Sequence, residues 1–200
     1  MLIYEINNMD SYIEKAKREI LKYYDKDEKA FHILWEHSHA VLECCLRIIK
    51  SSDKKYDLRK VVLGALLHDI GIKYTNAPNL GCFGTRPYIE HGYLGHDLLL
   101  KNDELKDIAP FCERHTGVGI KKETIIKNKL PLPHKDLVPI TIEEKLVCFA
   151  DKFFSKSDKN IKEPKPFEEV KISIEKHGKE NLERLCKLVE LFKIDAVYKK

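Results

Sequence analysis

No uninterrupted apolar run approaches the roughly 20 residues that a bilayer-spanning helix needs, and this excludes a helical membrane span. The first residues, MLIYEINNMDSYIEK, lack the basic segment, apolar segment and small-residue cleavage site of a secretory leader. None of the six cysteines forms a C-x-x-C pair, so the usual zinc-thiolate spacing is missing. Four of them sit in apolar helical patterns, and the expectation is reduced, buried thiols in a cytoplasmic protein. Neither sign of charge dominates: 36 basic and 32 acidic residues leave +4, interspersed except for modest basic runs at IKK, KNK and the terminal KK. Nucleic-acid binders usually gather positive charge on one face, so no nucleic-acid partner is expected. Strand-length alternation, internal repeats and low-complexity tracts are also missing.

What is present reads as helix after helix. The 200 residues, 43% of them hydrophobic, suffice for one domain over 1–200 with a sizeable core. Ser11 and Glu14, and again Thr141 and Glu144, have capping-box spacing. A long helix is predicted over 29–52 and another over 57–71, with Gly71 placed to stop it. A Gly/Pro/Asn-rich loop at 76–87 precedes helices over 88–101 and 103–115, the second bent near Pro110. After a proline-containing loop, 141–156 reads as helical, and two more helices fall within 166–194. In the last, Leu182, Leu185, Cys186, Val189 and Phe192 share one face. That stripe favours completion of the core, with a homodimer as the alternative. The fold class is all-α.

Chemistry concentrates where helices end. In VVLGALLHDIGIKY, residues 61–74, His68 and Asp69 continue the apolar stripes of Val61, Gly64 and Ala65 and of Val62 and Leu66. One buried histidine is ordinarily a hydrogen-bonded core residue, but a buried carboxylate beside it needs a cation. Asp151 is a second acid on an apolar face, in phase with Val147 and Phe154. His91 precedes GYLG, and His115 stands at a helix end before TGVG. On the helix at 29–52, His37 shares a face with Leu34, Val41 and Cys44, while His39 shares one with Trp35, Leu42 and Leu46. Phase alone does not choose between them. His32, His96, His134 and His177 read as surface or rim residues. Imidazoles and carboxylates together are donors for borderline divalent metals.

These residues resemble the HD-domain superfamily of metal-dependent phosphohydrolases. LLHDIG matches its name-giving pair and FADKF its closing Asp, over about residues 31–158. HSHAV matches the first ligand at His37, four residues before a Val, which sets His39 aside. EHGYLG and ERHTG look like the two extra histidines of the dinuclear branch. The resemblance implies a single-domain HD-type bundle with the helices of 166–194 packed on it. It implies one ion held by His37, His68, Asp69 and Asp151, and a second held by His91 and His115 with Asp69 bridging. Some members carry a Lys three residues after the HD Asp; here that position is Ile72, and Lys73 follows it. The GYP signature of cyclic di-GMP phosphodiesterases is missing near His115.

The implied activity is hydrolysis of a phosphate ester or anhydride of a small molecule, a nucleotide by preference, through a metal-bridged hydroxide with Asp69 at its centre. Two divalent transition-metal ions are implied, iron first, with manganese, cobalt, nickel or zinc as alternatives. Lys73, Arg86, Arg114 and Lys152 are the candidate phosphate contacts. Two rival readings are a di-iron oxygenase acting on a small phosphonate or polyol, and a non-catalytic metal- or ligand-binding module.

Overall fold

The apolar run at 61–67 is buried on every side, and the other helices are arranged around it. The computed structural model describes residues 2–157 and 160–198, with backbone alone for 2–7. Met1, Asp158 and Lys159 of the segment after the closing Asp, and the basic pair Lys199 and Lys200, lie outside the described residues. In chain order come α1 (Leu2–Ile20), α2 (Lys29–Lys50), α3 (Leu58–Leu67), α4 (His91–Leu99) and α5 (Ala109–Arg114). They are followed by α6 (Lys122–Lys127), α7 (Ile142–Asp151), α8 (Phe167–Glu175), α9 (Lys179–Phe192) and α10 (Asp195–Tyr198). The fold is all-α. Among the described residues its one sheet is a two-residue antiparallel pairing, β1 (Asn76–Ala77) with β2 (Cys82–Phe83), inside the 76–87 loop.

Helix α3 touches α1, α2, α5 and α7, which explains a continuous apolar run in place of a stripe. Helix α9 lays Leu185, Leu188 and Phe192 inward, with the Phe192 ring 5.5 Å from that of Phe149 on α7. Val170 and Ile174 of α8 join the same core. At the start of α7, Thr141 accepts from the Glu144 amide at 3.1 Å. The Glu144 carboxylate does not complete the box; it turns to the Ile140 amide at 2.8 Å and to Arg114.

Several elements depart from the sequence expectation. Helix α1 runs straight through Ser11, which is exposed in mid-helix and caps nothing. Helix α3 ends at Leu67: Asp69 has φ −104° and ψ 5°, and Ile70–Tyr74 is a tight 3₁₀ turn. Gly71 therefore does not stop the helix. It is needed because the His91 carbonyl and the Gly95 amide of α4 occupy the space a Cβ would take. The bent helix expected over 103–115 is two pieces, a 3₁₀ turn at Asp103–Leu105 and then α5. Pro110 stands in the first turn of α5, where its missing N–H breaks no helical bond, so it opens a helix. Cys186 is exposed on α9, while the other five cysteines are buried; all six are free thiols.

Candidate metal centre

Six helix-borne donors meet at one point of the core. Helix α2 supplies His37 from its middle, and the sharp turn after α3 aims His68 and Asp69 the same way. His91 is the first residue of α4, His115 follows the last residue of α5, and Asp151 is the last of α7. All six are buried. Donor atoms of His37, His68, Asp69 and Asp151 lie within 4.8 Å of one another, and so do those of Asp69, His91 and His115. His37 Nε2 is 3.0 Å from Asp151 Oδ1 and 3.3 Å from Asp69 Oδ2. His68 Nε2 is 3.1 Å from Asp69 Oδ2 and 3.4 Å from Asp151 Oδ1. His91 Nε2 and His115 Nε2 each stand 3.3 Å from Asp69 Oδ1. The two Asp69 oxygens thus face different pairs of imidazoles.

Outward hydrogen bonds fix how these rings present themselves. Nδ1 of His68, His91 and His115 each donates to a backbone carbonyl at 2.7 Å, of Ala65, Tyr88 and Cys112 respectively. A ring that donates from Nδ1 offers a lone pair at Nε2, the arrangement found at metal-ligating histidines. The Nε2 atoms of His91 and His115 are 3.0 Å apart, so two lone pairs face each other unless a cation lies against them. His68 Nε2 and Asp69 Oδ1 make no well-formed hydrogen bond among the described residues, while Asp69 Oδ2 has the Lys156 ammonium at 2.6 Å. Buried polar atoms are nearly always hydrogen-bonded, and two orphans side by side fit a missing cation. Burial pushes the His91 imidazole down to about 3 and lowers His115 as well, which keeps both unprotonated. Burial also works to lower His68, but Asp69 and Asp151 outweigh it and push the ring up to about 9. The field there favours positive charge. No thiol competes: Cys112 Sγ donates to the Leu67 carbonyl and Cys148 Sγ to that of His115. The donor set fits divalent ions of the borderline class.

The sequence model of the HD domain family matches residues 34–156. This chain belongs to the HD domain family. The match places it in the superfamily of metal-dependent phosphohydrolases. An uncharacterised protein of Methanocaldococcus jannaschii is 39% identical over 135 residues, covering 62% of this chain and 72% of its own. The tRNA (cytidine(56)-2'-O)-methyltransferase of Picrophilus torridus is 38% identical over 130 residues, 65% of this chain and 34% of that enzyme. Its counterpart in Thermoplasma volcanium is 33% identical over 156 residues, 78% of this chain and 40% of that enzyme. This chain therefore spans well under half the length of either methyltransferase. No solved structure matches it.

A cavity of about 650 Å³ reaches one of the six donors, Asp151, and is lined also by Lys152, Lys156 and Tyr88 and bounded by residues of the 76–80 loop and of α8. Of the four candidate phosphate contacts, Lys152 lines it, with Nζ 2.6 Å from Asp151 Oδ2 and 3.0 Å from the His115 carbonyl. The other three do not. Lys73 is paired with Glu28 at 2.6 Å, Arg86 with Glu90 at 2.6 Å, and Arg114 with Glu144 at 3.0 Å. Each of these three cations has a carboxylate of its own. His39 donates from Nδ1 to the Trp35 carbonyl at 2.9 Å, lies against the Trp35 ring and is not grouped with the six donors. Lys156 escaped the sequence reading. The helix expected over 141–156 ends at Asp151, and in the turn that follows, the Lys156 ammonium comes to 2.6 Å from Asp69 Oδ2.

Proposed function

We propose that this HD domain hydrolyses a phosphate ester or anhydride of a small, nucleotide-sized molecule with two divalent ions. The carrying observation is that the two oxygens of one buried carboxylate, Asp69, face separate imidazole pairs. His37, His68, Asp69 and Asp151 would hold one ion, and Asp69, His91 and His115 the other. Such ions offset charge on phosphoryl oxygens and make water acidic enough to act as a nucleophile near neutral pH. The chain's own part is positional: donors fixed on packed helices and an adjoining cavity whose volume suits a small molecule. Iron leads among the ions, with manganese, cobalt, nickel and zinc as alternatives. The methyl transfer named for two relatives is not carried over. Their matched part is the lesser share of each enzyme, and a cluster of histidines and aspartates is cation chemistry.

The test is a panel of nucleoside phosphates and dinucleoside polyphosphates offered to protein loaded with iron, manganese or cobalt. Ion-dependent release of phosphate or nucleotide, stopped by a chelator, is the expected result. Oxygen uptake with phosphonates or polyols and no phosphate release would replace hydrolysis with oxygenation.

A further inference from the structure

Lys156 belongs to no ligand pattern, yet it stands among the ligands. Its Nζ is 2.6 Å from Asp69 Oδ2 and 3.3 Å from His37 Nε2, and the side chain is 14% exposed. Lys152 takes the matching place beside Asp151, at 2.6 Å from Oδ2. Both line the cavity that reaches Asp151, so each ammonium touches the metal donors on one side and the ligand space on the other. A desolvated ammonium costs several kcal/mol unless it is paired; here two carboxylates and two ammoniums cancel.

That balance has a consequence for what can bind. One divalent ion added to the neutral set leaves two positive charges uncompensated, and two ions leave four. Interactions between charges strengthen away from bulk water, so the group entering from the cavity must bring at least two negative charges to restore neutrality. A phosphate monoester, or the terminal phosphate of a polyphosphate chain, does so above its second pKa of about 6. A phosphodiester brings one, and a polyol none. Lysine suits the task because its ammonium is a compact point charge on a flexible stem.

We infer that Lys156, seconded by Lys152, is a specificity residue that selects a terminal dianionic phosphate over a phosphodiester. The inference rests on the phosphohydrolase reading for turnover, but the binding preference can be measured without turnover. Calorimetric titration of manganese-loaded wild type, Lys156→Gln and Lys156→Arg with methyl phosphate and dimethyl phosphate tests it, with metal content determined for each protein. Wild type binds methyl phosphate about tenfold or more tightly over dimethyl phosphate, the scale of a charge-assisted contact. Lys156→Gln keeps its ions and loses most of that preference through weaker methyl phosphate binding, and Lys156→Arg recovers part of it. A role confined to neutralising Asp69 would weaken both probes equally, and that result overturns the inference. Should Lys156→Gln fail to fold, the wild-type comparison decides: equal affinity for the two probes also overturns it. Preserved discrimination with no hydrolysis of any phosphate would instead remove the phosphohydrolase reading and leave the selection standing.

Discussion

Asp69 divides the six donors, with Oδ2 turned to His37 and His68 and Oδ1 to His91 and His115. Loss of a ligand on the Oδ1 side alone should therefore cost one ion and spare the other. His91→Ala is expected to lower bound manganese from about two ions per chain to about one, measured by elemental analysis, while His39→Ala leaves the content unchanged. Full retention in His91→Ala, or a loss in His39→Ala, would contradict this division. The choice between His37 and His39 could not be made from phase, because both lie on partly apolar faces of α2. Their neighbours differ: His39 is satisfied by the Trp35 carbonyl, whereas His37 faces two carboxylates, which favours His37 for the proposed centre. The cationic candidates show the opposite limit. Lys73, Arg86 and Arg114 have the right chemistry for phosphate, but their carboxylate partners are distant in sequence or lie on another turn, so their engagement was illegible.

At the scale of elements, the centre depends on helix ends more than on helix faces. Periodicity located α2, α3 and α7, because an amphipathic or fully buried helix leaves a pattern of period 3.6 in the chain. It extended α3 too far, since the turn at Asp69 is a tertiary requirement: the chain must tighten there to aim two adjacent side chains at one point. Close approach of α4 to that turn is what places His91 opposite Asp69. Gly71→Ala puts a methyl group into the backbone of His91 and Gly95, neither of which can rotate away. The expected cost is about 2–3 kcal/mol for overpacking of this kind, or a thermal midpoint lower by roughly 5–10 °C for a chain of this length. Circular dichroism melting curves give the answer, and an unchanged midpoint would show that α4 does not bear on Gly71.

For the whole molecule, the all-α class was legible because it follows from composition and periodicity, which survive without tertiary information. The meeting of His37, His68, Asp69, His91, His115 and Asp151 was legible only as a coincidence of polar residues on inward faces and at helix ends; packing around α3 is what turns that coincidence into a cluster. Asp69 and Asp151 are buried beside apolar side chains at the centre of this core, and such groups are tolerated when cations compensate them. Lys156 and Lys152 offset those two charges, and divalent ions are proposed against the four imidazoles and the carboxylate oxygens they face. Metal content of purified, manganese-loaded wild type and Asp69→Ala, each checked for its helical spectrum, is the most direct test. About two ions per chain in wild type and almost none in the folded Asp69→Ala variant is the predicted result. Equal metal content in the two proteins, or a folded wild type that takes up no ion, would contradict it.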